Sequence, residues 1–377
     1  MKAVCVSNFN YYDRRIKYMQ AYLESKDYEV HYITGDYDTM NRQMYTLTLP
    51  RVIQLPLIQY KKNISFERIY SHYHFAKAMY EQLLKLKPDV IYAMVPPNFV
   101  SYFIRKYKKK YPKTIILFDV FDMWPETYPL PTKPLLRLPF KLWQHLRTKS
   151  LNYADAVLSE CQMFEHHLKS LQSHQRIHTL YPCQLSSHHH IDYTEKDNKW
   201  SVCYLGSINN IIDIEHIYRL LGEMAKIKPV HLHIIGNGEK IEEFIQKMQT
   251  ICVAVRHHGN VYCDEEKQHI FNQCAFGINV LKSSVFIGLT LKTIDYLKGG
   301  LPLLNTVQGD TKHMVETHQI GINVCQLDTL ANTLSSLTPE NIMTMKKQSR
   351  YVFEQYFSED NYMKQLDMLL TQMGVQL

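Results

Sequence analysis

The chain has 377 residues, of which 45% are apolar, and carries 43 Lys and Arg against 36 Asp and Glu. That length exceeds one ordinary core and suggests two domains of roughly 150–200 residues each. The composition excludes a disordered chain, no window reaches the ~18 uncharged apolar residues of a membrane-spanning helix, and Met1 to Val6 enters a strand pattern without a secretion signal, so the cytosol is the expected compartment.

In the first half, strands are predicted at 2–7, 29–34, 90–94, 114–119, 156–159 and 177–180. Amphipathic helical segments fall between them at 13–26, 67–87, 98–110, 135–152 and 161–172, the alternation of a parallel sheet with crossover helices. Residues 1–190 hold 26 Lys and Arg against 15 Asp and Glu, so the basic excess lies here. Its densest run is Arg105 to Lys113, followed by the Pro-punctuated apolar and basic stretch 129–146. Such a mixture fits a patch lying on an anionic membrane surface, and equally a solvated helix end followed by a core helix. No nucleic-acid recognition motif accompanies the charge. Eight scattered cysteines without a C-x-x-C pair point to reduced thiols, not to a disulfide framework or a zinc site.

The polar stretch 186–199, with His188, His189 and His190, is read as a linker, because three consecutive side chains cannot all face one tetrahedral metal ion. A second series of strands is predicted near 200–206, 230–236, 254–258, 275–281, 302–306 and 321–324, and two helical segments, 339–356 and 359–373, end the chain. In open α/β sheets ligands bind beyond the carboxyl ends of the strands. Glycine-bearing turns occupy that place three times in series: Gly206-Ser207-Ile-Asn209-Asn, Gly236-Asn-Gly238-Glu-Lys240 and Gly259-Asn-Val261. Gly288-Leu289-Thr290-Leu291-Lys292-Thr-Ile-Asp295 then opens a helix from a loop. The free N–H groups and dipole of a helix start favour an anion; Thr290 can cap it and Lys292 can reach the anion. Asp295, one turn deeper, is placed to accept hydrogen bonds from ribose hydroxyls. The alternative is a solvated helix lysine.

This order of turns, with the 288–302 run ending in Gly-Gly-Leu-Pro, resembles the donor site of GT-B glycosyltransferases of the retaining family 4 over most of residues 200–325. Asp295 falls where that family has its second glutamate, the ribose partner. The first would fall at Ile287, and the Arg and Lys that usually follow the first donor-domain glycine are absent from Ser207 to Asp213. Lys292 is therefore the leading phosphate partner, ahead of Lys282 and the helix start near Asp213. The resemblance implies a GT-B fold: two Rossmann-like doubly wound domains facing each other across a cleft, an acceptor domain at 1–185 and a nucleotide-sugar domain at 200–357, with a C-terminal crossover helix at 358–377 packing back on the first.

It also implies roles in the first domain. Asp13-Arg14-Arg15 resembles an Asp-x-Arg pattern of the acceptor loop, where Arg14 or Arg15 would clamp a diphosphate; a capped helix with two solvated arginines fits equally. Asp119-Val-Phe-Asp122-Met-Trp-Pro-Glu126 resembles an Asp-x-Trp-Pro-Glu element of polysaccharide glycosyltransferases, with Asp122 as the carboxylate that takes the acceptor proton and Glu126 second. The bland reading makes both acids helix caps around a packed turn. Asp36-Tyr-Asp38 has the form of a metal motif but reads as a loop. The expected function is metal-independent transfer of a hexose from a nucleotide sugar, UDP-linked, to a glycan or lipid-linked acceptor at a cell surface, without a cofactor. The alternative is a non-catalytic GT-B partner subunit. Association with a second copy or with a partner glycosyltransferase stays open, and no nucleic-acid partner is expected.

Overall fold

The computed structural model describes residues 1–9, 13–38, 41–60, 65–128, 137–171, 176–186, 189–193, 198–328, 330–375 and 377. Tyr11, Tyr12, His188, the segment 129–136 and part of the expected linker lie outside the described residues. The chain forms two compact units, one comprising Met1–Cys183 with Tyr362–Leu377, the other Gln184–Asn361.

In unit 1 the strands are β1 (Lys2–Ser7), β2 (Glu29–Gly35), β3 (Tyr37–Asp38), β4 (Gln43–Met44), β5 (Val52–Leu55), β6 (Val90–Val95), β7 (Ile115–Val120), β8 (Ala156–Ser159) and β9 (Ile177–Thr179). Seven of them form one sheet in the order β5-β2-β1-β6-β7-β8-β9, and every pair in it is parallel. The central strands are continuous apolar runs because helices cover both faces; all six residues of β6 are buried. The sequence reading missed β5, four residues between Pro50 and Pro56 that pair with Tyr32–Gly35. It also missed the β3–β4 hairpin around Asp36 and Asp38.

Over residues 1–183 the helices are α1 (Asp13–Ser25), α2 (Phe66–Leu86), α3 (Asn98–Lys110), α4 (Leu138–Leu151) and α5 (Gln162–Leu171), and the C-terminal helix Glu359–Gln372 joins the unit from Tyr362 onward. Ser65 caps α2 by accepting from the Arg68 N–H at 3.2 Å. The buried face of α2 repeats every three or four residues and includes Arg68, Ser71 and His72 beside Phe75, Ala76, Met79 and Leu83. Tyr362, Leu366 and Leu370 recur at i, i+4 and i+8 and join the core that holds Met19, Tyr22 and Leu23, while the Tyr22 hydroxyl donates to Asp367 at 2.8 Å.

Unit 2 contains β10 (Trp200–Leu205), β11 (Val230–Ile235), β12 (Ala254–His257), β13 (Phe276–Asn279), β14 (Leu303–Asn305) and β15 (Gly321–Asn323), paired in parallel in the order β12-β11-β10-β13-β14-β15. Its helices are α6 (Ile214–Ala225), α7 (Ile241–Gln249), α8 (Asp264–Phe271), α9 (Leu291–Lys298), α10 (Asp310–His318), α11 (Leu330–Ser335) and α12 (Pro339–Tyr356). Both large sheets are doubly wound. The chain builds outward from β1 or β10 on one side and then crosses to β6 or β13 on the other, so each unit has its ligand crevice expected where those two strands end.

Among the described residues, no helix is long and apolar enough to cross a membrane. Five of the eight cysteines are buried and all eight are free thiols.

Candidate functional site

At the crevice of unit 2, Thr290 is extended (φ −119°, ψ 150°) and caps α9, its hydroxyl accepting from the Thr293 N–H at 3.2 Å. The cap is fixed from below by a ladder of asparagines. Asn279, Asn305 and Asn323 stand in register at the ends of β13, β14 and β15. Asn279 donates to Asn305 at 2.9 Å and to the Thr293 hydroxyl at 3.0 Å, Asn305 donates to Asn323 at 2.8 Å, and the Thr290 hydroxyl lies 3.2 Å from Asn279 Oδ1. Tyr296 locks the next turn: it is fully buried, its hydroxyl accepts from the Leu205 N–H at 2.7 Å, and its ring occupies the space that a side chain at Gly277 would need.

Lys292, on the first turn of α9, is half-buried over the ring of Tyr204, with 4.8 Å from ammonium to centroid. The Tyr204 hydroxyl in turn donates to the Ser207 carbonyl at 3.2 Å, so the ammonium lies above the tyrosine that anchors the Gly206-Ser207 turn. Among the described residues Lys292 has neither an ion pair nor a hydrogen bond, and burial pushes its pKa down to about 8. A desolvated cation without a counter-ion, beside a helix N-terminus, is set to gain from an anion.

The glycine turns divide by what surrounds them. A side chain at Gly206 (φ +113°) would meet open space, as would one at Gly259. At Gly236 and Gly238 a Cβ would fall 2.3 Å from the Gly206 carbonyl oxygen and 2.2 Å from that of Ile208. Glycine is required there so that the loops can stack, which also explains the bonds from the Ile208 N–H to Asn237 O and from the Lys240 N–H to Ile208 O. Asn209 closes its own turn by accepting from the Ile211 N–H at 3.1 Å, and Ser207 is exposed. Val261 and Leu289 are buried, Leu291 is exposed, and Lys282 is exposed. Ile287 packs against the apolar core of unit 2.

Asp295 sits in a charged cluster. Its Oδ1 accepts from Gln184 at 3.3 Å and lies 3.8 Å from the Lys267 ammonium, while Asp264 binds Lys298 at 2.7 Å and Lys267 at 3.2 Å. Burial raises the Asp295 pKa, with Lys267, Gln184 and Lys298 acting against it. Oδ2 accepts no hydrogen bond among the described residues.

In unit 1 the two arginines of the acceptor loop separate. Arg14 is exposed. Arg15 is not available as a phosphate clamp: its Nε and Nη2 bind Asp119 at 2.7 and 2.8 Å, Nη1 donates to Leu180 O at 3.0 Å, and the whole group is buried. Tyr92 also donates to Asp119 through a short hydrogen bond. Nothing is described of the Asp13 side chain.

Asp122, at the end of β7, is half-buried, accepts from the Thr127 hydroxyl at 2.8 Å and is pushed up to about 6 by burial, against the hydrogen bonds of Thr127, Met123 and Trp124. Glu126 behaves oppositely. Burial alone would raise it, but hydrogen bonds from His167 and Arg147 and the Arg147 charge hold it at about 2. Arg147 binds it bidentately at 2.6 and 2.9 Å, and Gln144 adds a bond at 2.9 Å. Glu126 is thus a structural carboxylate and a poor proton acceptor.

The sequence reading missed four side chains here. Glu160, directly after β8, is pushed up to about 8 by burial, has no hydrogen-bond or ion-pair partner for its carboxyl among the described residues, and feels both Arg15 and Asp122. Its only signal is a carboxylate immediately after a buried strand. His72 and Arg68, on α2, bracket Trp124: His72 stacks at 5.7 Å and Arg68 lies 3.9 Å over the ring. His72 is buried, both its nitrogens lack partners among the described residues, and burial holds it neutral, as does the nearby Arg68 charge. The carboxamide of Asn8, just after β1, is likewise buried without a hydrogen bond among the described residues. Asp36 and Asp38 are spent on turns, accepting from the Leu57 N–H at 2.9 Å and from Asn41 at 3.0 and 2.8 Å. No group of three or more potential ligands among the described residues is placed to hold a metal ion.

Residues 13–183 match the family model of Glycosyltransferase Family 4, so the sequence match lies in unit 1, whereas the resemblance noted above rests on unit 2. No curated protein matches. Among solved structures, the chain superposes on sucrose-phosphate synthase from Thermosynechococcus elongatus with a TM-score of 0.74 at 14% identity, over 99% of both chains. It superposes on the lipopolysaccharide outer core galactosyltransferase WaaB in its apo form with a TM-score of 0.67 at 13% identity, again over 99% of both. For HepE from Anabaena in complex with UDP and glucose the TM-score is 0.66 at 11% identity, over 99% of this chain and 100% of that one. Identities this low speak for the fold alone, and the family model supplies the kinship: the chain has the GT-B glycosyltransferase fold and is related to the family 4 glycosyltransferases, in sequence through residues 13–183.

Proposed function

We propose that the chain is a glycosyltransferase that takes a hexose from a UDP-sugar and passes it to a sugar hydroxyl of a lipid-linked surface glycan. The observation that carries this reading is Lys292, a desolvated ammonium without a counter-ion among the described residues at the capped N-terminus of α9, above the turn that starts at the open Gly206. The diphosphate would lie against the free N–H groups of α9 and the ammonium, and Oδ2 of Asp295 would accept from ribose. As the bond between the anomeric carbon and the diphosphate breaks, charge gathers on the leaving phosphate, where a preorganised cation and helix dipole stabilise it most. A new bond forms from the acceptor oxygen to the anomeric carbon, and the acceptor proton passes to Asp122, whose pKa of about 6 suits a base near neutrality. That HepE was solved with UDP and glucose supports a UDP-linked donor.

The test is calorimetric titration with UDP and UDP-hexoses. Saturable binding that weakens in Lys292→Met and Asp295→Ala supports the proposal; absence of nucleotide binding in the folded protein sinks it. A second reading, a non-catalytic GT-B partner, is favoured by Ile287, whose side chain packs on the core where the family has an acid, and by the lack of a cation after Gly206. It predicts no nucleotide binding and co-purification with another glycosyltransferase. Peripheral contact with an anionic membrane is supported by the exposed Leu138, Lys141, Leu142 and Lys149 of α4.

A further inference from the structure

Unit 1 contains a cavity of about 560 Å³ between α2, α3 and α4. Its walls are mainly hydrocarbon, from Phe66, Ile69, Phe99, Leu142, Trp143 and Leu146, and the buried indole N–H of Trp143 has no hydrogen-bond partner among the described residues. Three of these, Phe66, Ile69 and Leu142, are exposed, with 63% of Leu142 reaching solvent, so among the described residues the cavity continues into an exposed apolar surface. The hydroxyl of Ser65 at its edge is used to cap α2. Arg68 and Tyr128 lie together: Arg68 donates to the Tyr128 hydroxyl at 2.8 Å, and both residues line the cavity. Arg68 also covers Trp124, and its charge is felt by Asp122, as Asp122 is by Tyr128.

An open apolar cavity with one charged end is a site for an amphiphile. We propose that the cavity receives the hydrocarbon chain of the acceptor, with the acceptor's polar head at Arg68, Tyr128 and Asp122. This inference rests on the transferase reading and adds to it the site that holds the acceptor's lipid chain. The polar end argues for the acceptor's own chain over a bulk bilayer lipid, because a chain seated there delivers its head to the carboxylate proposed to take the proton. The size suits the occupant, since cavities of roughly 300–1,000 Å³ hold ligands of this scale.

Binding can be followed by tryptophan fluorescence with alkyl β-glucosides of six, eight and ten carbons below their micelle concentrations, and methyl glucoside as the head alone. Trp143 lines the cavity and Trp124 adjoins it, whereas Trp200 is buried in the core of unit 2, so a change reports on unit 1. Affinity should tighten about fourfold per added methylene, and Ile69→Gln and Leu142→Gln, both at exposed positions, should each weaken decyl glucoside at least tenfold while leaving Tm and UDP binding unchanged. Affinity independent of chain length, or variants that bind decyl glucoside as the wild type does, would overturn the proposal. Sedimentation with phosphatidylglycerol vesicles without chain-length dependence for the soluble glycosides would assign the face to the bilayer and overturn it too. Nucleotide binding is read separately at unit 2, so failure of the transferase reading shows as missing UDP binding, not as a flat chain-length series.

Discussion

Replacing Lys292 by Met keeps the stem that covers Tyr204 and removes only the charge. In the wild type the ammonium has no counter-ion among the described residues, so the change breaks no ion pair in the free protein, and stability should move little. A charge-assisted hydrogen bond contributes about 1.5–3 kcal/mol, so UDP should bind about 10- to 150-fold more weakly to Lys292→Met at pH 7. The pKa sharpens the test. Burial holds the free lysine at about 8, and a diphosphate favours its protonated form. Wild-type affinity should therefore be full below pH 8 and fall by up to about tenfold per unit above it, until the pKa of the complex is reached. Calorimetry at pH 7.0, 8.0, 9.0 and 9.5 on both proteins separates this from ionisation of UDP itself, which cancels in their ratio. The wild-type advantage should shrink toward unity by pH 9.5. A constant ratio across the range, or equal binding at pH 7, would refute the assignment of Lys292 to the phosphate.

Further expectations concern the carboxylates and the asparagine ladder. Asp122→Asn should lower kcat at least a hundredfold with UDP binding unchanged, and the wild-type rate should rise with pH through about 6 as Asp122 loses its proton, a limb that a pH–rate profile of a slowly active variant should lack. Arg147→Met strands a buried Glu126 and should cost about 3–5 kcal/mol in urea unfolding, with much of it regained in the double variant with Glu126→Leu. Because Glu126 is held at about 2, its stabilisation is complete above the ordinary carboxylate range and is lost as pH falls toward 2, so Glu126→Gln should unfold in acid with a shallower profile. Asn305→Leu orphans Asn279, Asn323 and the Val307 N–H, and should cost about 3 kcal/mol or more while also weakening UDP through the displaced start of α9; unchanged UDP affinity would show that the ladder supports the core alone.

The capped start of α9 was legible because its determinants are local. Thr290 and Lys292 belong to one helix start, and a cap with a cation on the first turn needs no distant partner to be recognised. The glycines at 236 and 238 were visible as turn residues, but their reason was not, since the atoms they avoid belong to Gly206 and Ile208, about thirty residues earlier in the chain. Arg14 and Arg15 were left undivided although a signal existed: Arg15, Ile16, Met19, Tyr22 and Leu23 share the buried face of α1, and Arg14 does not. The partner of Glu126 is Arg147, twenty-one residues on, and the asparagine ladder depends on the register of three parallel strands. Those are products of the fold. The strand β5 escaped because four residues between two prolines carry too little periodicity to separate a strand from a loop.

Four carboxylates lie near the ends of β7 and β8, and composition cannot rank them. Their partners do. Asp119 is bound by Arg15 and Glu126 by Arg147, each bidentately and away from water, which commits both to holding unit 1 together. Asp122 and Glu160 have no arginine bonded to them, and burial drives them up to about 6 and about 8. At pH 7 the first is mostly ionised and the second mostly protonated, the separation expected of neighbouring acids with different tasks. The Asp122 charge raises Glu160's cost of ionising, so removing it should let Glu160 ionise at lower pH. If Asp122 takes the acceptor proton, Glu160→Gln should therefore move the pH–rate midpoint below 6 only modestly, because at that pH Glu160 is already neutral. A large shift would mean that Glu160 shares the proton, and the assignment of Asp122 as sole base would fall.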